Sequence, residues 1–209
     1  MDTKKQIELW RSKFGIDYAR RGNNRVTKEG AQNLMRDWGR MLQHAVTPKP
    51  QSALEVGCNI GRNLLALQHF IDVIHAVEPN AEAVRVVRED PALAGVAILE
   101  GDGFNLPYAD GSIDLVFTSG VLIHVAPEDL PRITDEIVRV ARHYVLCIEY
   151  FSHDPVEVPY RGMEGFLFKR DFGRFYLERH PTLRVLDYGF LWQPLDSSDN
   201  SNWWLFAKR

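Results

Sequence analysis

Cysteine is nearly absent from this sequence: 209 residues contain two, Cys58 and Cys147. They stand far apart and neither belongs to a CxxC pair, so no zinc site or dithiol motif is indicated. Two buried, reduced thiols and no bound metal are the expectation. Long apolar runs are missing as well. Met1-Asp2-Thr3-Lys4-Lys5 leads into no apolar stretch, and no later run reaches the ~20 residues needed to cross a bilayer. Neither a signal peptide nor a membrane partner is expected, and a cytoplasmic location follows by default. Charge of one sign does not dominate either. Lys and Arg number 25 against 28 Asp and Glu, a net charge of -3, so the overall field suggests no nucleic-acid partner. No internal repeat or low-complexity tract occurs. What is present is an ordinary globular balance, 45% hydrophobic and 25% charged, in a length that suits one domain with a proper core.

The first fifty residues read as a helical cap. Ile7, Trp10 and Phe14 recur at helical spacing, as do Leu34, Trp38, Met41 and Leu42. Between them, Arg20-Arg21-Gly22-Asn23-Asn24-Arg25 reads as a polar hinge, and Thr47-Pro48-Lys49-Pro50 as a linker. From 51 to 150 the pattern becomes strand–helix alternation. Strands are expected at Ala53–Val56, Val73–Val77, Val96–Glu100, Ile113–Thr118 and Tyr144–Ile148. Helices are expected at Arg62–Phe70, Ala81–Arg88 and Leu130–Val140. Apolar β-formers separated by helices imply a parallel sheet covered on both faces. The stretch Phe151–Gly173 lacks clear periodicity and lies where open α/β sheets bind ligands, so 151–183 reads as a lid or acceptor insertion. Arg184–Leu191 and Trp203–Ala207 have no helix between them and predict an antiparallel edge hairpin. The expected fold is an α/β, Rossmann-like, mostly parallel seven-stranded sheet, with that hairpin at its edge and the helical cap at its start.

The signals for a bound ligand sit at the strand ends. Glu55-Val56-Gly57-Cys58-Asn59-Ile60-Gly61 turns the first strand into the first helix. Glycines there allow positive φ and close approach of backbone to a ligand, and the helix N-terminus offers free N–H groups. Glu55 can attract an ammonium group. Glu78, in Glu78-Pro79-Asn80, ends the second strand about twenty residues on, as expected of an acid that accepts from ribose hydroxyls. Asp102, in Asp102-Gly103-Phe104, follows the third strand and can accept from an adenine amino group while Phe104 or Leu106 lies against the ring. Ser119-Gly120-Val121, after the fourth strand, closes the floor. A dinucleotide enzyme favours GxGxxG, because its pyrophosphate rests on the helix dipole, whereas the spacing here is GxxxG beside three acids. A ligand carrying cationic sulfonium and ammonium groups matches that charge better.

These residues, with Ser112-Ile113-Asp114-Leu115-Val116-Phe117, resemble the class I S-adenosylmethionine-dependent methyltransferases. A closer resemblance covers nearly the whole chain. Trp10, Phe14-Gly15, Tyr18, Gly120-Val121-Leu122-Ile123-His124, Tyr160-Arg161-Gly162 and Leu167-Phe168-Lys169-Arg170-Asp171-Phe172 resemble small methylases associated with pseudaminic acid biosynthesis. In that family Asn directly follows the Arg after the Tyr. Here Gly22 follows Arg21, and Asn23 comes next as the candidate for that role. The resemblance implies S-adenosyl-L-methionine as cofactor, S-adenosyl-L-homocysteine as product, and Tyr18, Asn23, Cys58 and Asn59 as further contacts.

The cofactor carries an activated methyl group, so the protein need only align an acceptor and exclude water. His124 is the first candidate base, since its reference pKa lies near neutrality; the alternative is a histidine that shapes its loop. Glu149 and Tyr150 are second candidates, with a strand-end structural role as the alternative. Tyr160, Arg161, Lys169 and Arg170 are expected to line the acceptor side, and the arginines suit a carboxylate. Arg20, Arg21 and Arg25 are expected to assist from above. Trp10 and Phe14 read as a core-facing stripe and Tyr18 as an aromatic cap over the sulfonium. His153 and the tryptophans at 192, 203 and 204 read as structural. The expected reaction is methyl transfer to an O or N atom of a small acidic metabolite, sugar- or amino-acid-like, by a monomer or homodimer. The rivals are a NAD-binding oxidoreductase and a non-catalytic nucleoside-binding module that serves a partner.

Overall fold

A computed structural model describes residues 3–20, 28–45, 47–195 and 199–209. The cap comprises α1 (Thr3–Arg11), α2 (Lys13–Ala19) and α3 (Lys28–Leu42). The apolar periodicity through Ile7, Trp10 and Phe14 runs on without a gap, yet the helix breaks at Ser12. Its extended backbone and side chain cap α2, accepting the Phe14 N–H. The expected hinge lies mostly at 21–27, outside the described residues, and Asn23, Arg21 and Arg25 fall there.

The sheet contains β1 (Ser52–Val56), β2 (Val73–Glu78), β3 (Ala97–Glu100), β4 (Ile113–Ser119), β5 (Ala141–Glu149), β8 (Leu183–Leu191) and β9 (Ser201–Lys208). Its order is β3-β2-β1-β4-β5-β9-β8. The first five pair in parallel; β9 runs antiparallel to β5, and β8 antiparallel to β9. This matches the expected seven-stranded sheet with an antiparallel edge. Helices α4 (Arg62–Leu67), α5 (Ala81–Glu89) and α6 (Leu130–Val140) make the crossovers. Strand order reverses between β1 and β4, so a crevice opens at their carboxyl ends.

Two apolar layers hold the sheet. One packs Leu34, Trp38 and Met41 of α3 and Leu64 and Leu67 of α4 against Ala53, Leu115 and Phe117. The other packs Ile133 and Ile137 of α6, with Phe172 and Tyr176, against Leu54, Val116 and Val145. β1, β4 and β5 are therefore buried along both faces, as the near-continuous apolar runs require. No described helix is long and apolar enough to cross a membrane.

The insertion has more structure than its sequence advertised. A two-stranded hairpin, β6 (Val156–Glu157) with β7 (Phe168–Lys169), is followed by α7 (Phe172–Arg179), whose N-cap Asp171 accepts the Arg174 N–H. Gly173 interrupts the helical signal of α7, but a Cβ there would stand 2.4 Å from Trp204 Nε1, so close packing requires the glycine.

Candidate functional site

The turn after β1 is built by positive φ. Gly57, Asn59 and Gly61 have φ of 78°, 48° and 79°. A Cβ on Gly57 would lie 2.6 Å from Val121 Cγ2, and one on Gly61 2.7 Å from Leu93 Cδ1. Glycine is thus required by both conformation and space. Glu55, on β1 just ahead of the turn, is 1% exposed. Asn63 Nδ2 donates to its Oε1 at 2.7 Å, and its Oε2 has no partner. Burial pushes the carboxyl up to about 8, against the pull of Asn63 and with help from the Glu78 charge.

Glu78 braces the same turn from β2. Its Oε2 accepts the Asn59 N–H at 2.8 Å and its Oε1 the Asn80 N–H at 2.9 Å. Burial raises it to about 7, and the two amides oppose that rise. Each oxygen keeps a further lone pair for a ligand hydroxyl. Asn80 caps α5, accepting from Glu82 and Ala83 N–H, and donates to Trp10 O at 2.8 Å, which ties the cap to the sheet. After β3, Asp102 Oδ1 accepts the Phe104 N–H at 3.1 Å, while Arg11 Nη2 stands 3.8 Å from its Oδ2. A Cβ on Gly103 would lie 2.7 Å from Ile133 Cδ1.

Glu78, Pro79, Asn80, Asp102, Gly103, Phe104 and Val121 line a cavity of about 160 Å³, closed by Gln6 and Trp10 of the cap. A second chamber of about 560 Å³ lies beside it, lined among others by Glu55, Cys58, Arg62, Asn63, Tyr150, Tyr160 and Arg161. Tyr18, Gly57, Asn59, Ser119, Gly120 and His124 line both. The junction is therefore the meeting point of the β1 turn, the β4 loop and the cap.

His124 sits at this junction in the one-turn helix after β4. Its Nδ1 lies 2.6 Å from the Phe166 carbonyl oxygen, which can only accept. Nδ1 therefore carries the proton, and Nε2 presents a lone pair. The ring stands 5.0 Å from Trp10 and 4.8 Å from Tyr160. Burial brings its pKa down to about 4, so the imidazole is neutral near pH 7. Arg161 reaches over Tyr160, Tyr18 and Phe14, its guanidinium carbon 5.4, 5.5 and 5.9 Å from their ring centres.

Several expected residues lie elsewhere. Glu149 is 0% exposed and touches neither cavity. Its oxygens accept the N–H groups of Val121, Leu122 and Ile123 at 3.1, 3.0 and 3.3 Å, so it braces the loop beneath the site and is not placed to act as a base. Tyr150 does line the chamber, but its hydroxyl donates to Asp199 at 2.9 Å, and burial raises its pKa; that geometry does not suit a base. Lys169 and Arg170 face a separate hollow behind the insertion, with Arg170 stacked 4.6 Å over Phe175. Lys169 Nζ stands 5.3 Å from the ring centre of Tyr150, but neither it nor Arg170 lines the chamber that Tyr160 and Arg161 enter. Trp10 and Phe14 pack on His124 and Tyr160, not in the sheet core. Exposed His153 pairs with Asp154 at 3.2 Å.

Sequence reasoning missed Gln6, Asp37, Arg62, Asn63 and Asp199, all of them lining residues. Asp37 left a signal: an acid within the apolar stripe Leu34, Trp38, Met41 of α3. Arg62 and Asn63 stand in the first turn of α4, facing the Glu55 wall. Asp199 left none, since it lies in a polar loop.

Comparison with known proteins adds an independent line. Residues 54–148 match the family described as methyltransferase domain. Ajmaline N-methyltransferase of Rauvolfia serpentina is 32% identical over 98 residues, covering 44% of this chain and 33% of that enzyme. The chain thus spans about a third of the length of the curated relatives it matches. Among solved structures, the 1,6-didemethyltoxoflavin-N1-methyltransferase of Burkholderia thailandensis, bound to 1,6-didemethyltoxoflavin and S-adenosylhomocysteine, superposes with a TM-score of 0.74 at 17% identity, over 100% of this chain and 91% of that one. Magnesium protoporphyrin IX methyltransferase of Synechocystis, with bound S-adenosylmethionine, gives 0.70 at 15% identity, over 100% and 98%. The segment 54–148 matches the methyltransferase-domain family, and the chain as a whole has the fold of Rossmann-like methyltransferases.

Proposed function

We propose that this protein binds S-adenosylmethionine and transfers its methyl group to an O or N atom of a small, anionic, sugar- or amino-acid-like molecule. The observation that carries the reading is the pair of joined cavities: a narrow one between Glu78, Asp102 and Phe104, and a wide polar one that meets it at His124. The residues fit the cofactor's chemistry. The buried Glu55 Oε2, which has no partner, suits an ammonium group. Glu78 suits two ribose hydroxyls, and Asp102 with Phe104 suits an adenine.

The sulfonium supplies a methyl carbon that an acceptor lone pair can take as the carbon–sulfur bond breaks. The protein aligns the acceptor and keeps water out with the cap. His124, neutral with Nε2 available, receives or orients the acceptor's proton. With its basicity held low, it suits an acceptor that already offers a lone pair. Arg161 receives the anionic group. Gly120–His124, Tyr160–Gly162 and Leu167–Phe172 support kinship with the methylases associated with pseudaminic acid biosynthesis.

Saturating S-adenosylhomocysteine is expected to raise the melting temperature by about 5 °C or more, by mass action on the native state. Glu78→Ala is expected to remove most of that rise. No shift at millimolar ligand would overturn the cofactor assignment. Labelled S-adenosylmethionine offered with candidate acceptors tests transfer itself.

A further inference from the structure

The chamber that meets the narrow cavity at His124 is lined by two groups of opposite charge. One is Arg161, at the tip of a tight turn. Tyr160 N donates to Met163 O at 2.8 Å and Met163 N to Tyr160 O at 3.0 Å, leaving two residues between them. Both have positive φ, Arg161 at 53° and Gly162 at 80°. The first of these slots favours Asn, Asp or Gly, because a β-carbon is strained there. A long cationic side chain is therefore held at a strained position, over the rings of Phe14, Tyr18 and Tyr160. Nothing in the turn's own hydrogen bonding requires an arginine. Strain of this kind, retained at a cavity wall, is a mark of function.

The other comes from the β8–β9 loop. Asp199 lines the chamber and accepts the Tyr150 hydroxyl through Oδ2 at 2.9 Å and Gln193 Nε2 through Oδ1 at 3.4 Å. Ser201, two residues on, lines the same chamber. Arg62 lies within electrostatic reach of Asp199, Asp37 and Tyr18, so this wall is a mixed, acid-rich surface and not a cationic one. Each Asp199 oxygen retains accepting capacity beyond the bonds named.

We infer that Arg161 and the Asp199–Tyr150 pair are the two specificity-determining ends of the acceptor site, and that the acceptor is a bifunctional acid. It carries an anionic group for Arg161 and, across the molecule, an ammonium or hydroxyl that donates to Asp199. The inference rests on the proposed methyl transfer and narrows its acceptor to amino acids and hydroxy acids, sugar acids included. An acid without a donor leaves the remaining accepting capacity of Asp199 unused, and an amine without an acid leaves the Arg161 guanidinium without an anion. A site with polar groups at both ends rejects such halves more strongly than a site built from apolar walls.

The test uses the full-length protein saturated with S-adenosylhomocysteine. α-Amino acids and hydroxy acids, including hexuronates, are added one by one at about 20 mM, beside matched carboxylates and amines that carry only one of the two groups. At least one bifunctional probe is expected to raise the melting temperature by about 2 °C more than either of its halves. Arg161→Asn and Asp199→Asn are each expected to abolish that increment while the rise caused by S-adenosylhomocysteine persists. Arg161→Asn is also expected to leave the unliganded protein as stable or more so, since Asn accepts the positive φ; an arginine needed only for structure would do the opposite. If no bifunctional probe exceeds its halves, or the increment survives either substitution, the inference is overturned. If S-adenosylhomocysteine fails to stabilise the wild type, the cofactor reading falls, and this inference with it. With a turnover assay on the best probe, both variants are expected to raise KM tenfold or more with a smaller change in kcat.

Discussion

Glu149 and Glu55 occupy the ends of neighbouring regions of the same sheet, both buried, yet their surroundings give them different work. Glu149 answers three backbone N–H groups of the loop that carries His124. Glu55 keeps one oxygen without a partner at the chamber wall. Sequence position alone could not separate them, because both read as acids at strand ends. The partners that distinguish them are backbone amides from another crossover, invisible to local pattern. Glu149→Ala would strand three buried donors, and a cost of about 3 kcal/mol is expected in urea unfolding. Glu149→Gln should recover part of that loss, since its carbonyl oxygen still accepts. It should also retain turnover within about tenfold, well short of the loss expected on removing a general base. A collapse of turnover in a well-folded Glu149→Gln protein would restore Glu149 as a base.

At the scale of elements, the five parallel strands and the edge hairpin were legible because buried β-runs separated by helices allow little else. That Glu55, Glu78 and Asp102 gather at the carboxyl edge of the sheet was legible because each stands at or just past the end of a parallel strand. The cap was less so. Its unbroken apolar periodicity conceals the break at Ser12, and no local rule says where a broken helix docks. The docking itself is specific. Arg20 Nε donates to Glu82 at 2.9 Å, Asn80 Nδ2 to Trp10 O at 2.8 Å, and buried Gln6 bridges Ala126 N–H and the Gly165 carbonyl. Gly15 is the point of closest approach: a Cβ there would lie 1.8 Å from Trp10 O and 2.5 Å from Asn80 Nδ2. No rotamer relieves contact with backbone, so Gly15→Ala must part α2 from the Trp10 carbonyl of α1 and disturb the Asn80–Trp10 bond that ties the cap to α5. We expect its Kd for S-adenosylhomocysteine, measured by calorimetry, to rise tenfold or more, and limited proteolysis between the cap and β1 to accelerate. Wild-type affinity with wild-type protease resistance would show that the cap closes the site without this contact.

For the whole molecule, three buried carboxyls gather at the carboxyl ends of β1, β2 and β5, and all three are raised: Glu55 to about 8, Glu78 and Glu149 to about 7. Desolvation is the leading cause in each. In the unfolded chain they titrate near 4.5. The folded protein therefore holds extra protons from there up to about pH 8, and stability declines as pH rises through that range. His124 has the opposite sense: its folded value of about 4 lies below its unfolded value, so its contribution is lost on acidification below pH 6.5. Between pH 6.5 and 8 the carboxyls outweigh it and His75 and His180, which burial also lowers and whose unfolded forms still release part of a proton there. With each proton linked to about 1.4 kcal/mol per pH unit, a decline on the order of 2 kcal/mol is expected, seen as a fall of about 5 °C in melting temperature. An ammonium against Glu55 and hydroxyls on Glu78 favour the ionised forms, so the complex with S-adenosylhomocysteine should show a flatter profile. Stabilisation by the ligand should then grow across this interval. Glu55→Gln should flatten the profile of the unliganded protein and remove most of that growth. Parallel profiles for free and bound protein would mean that the carboxyls of the sheet and the cofactor's cationic end do not meet.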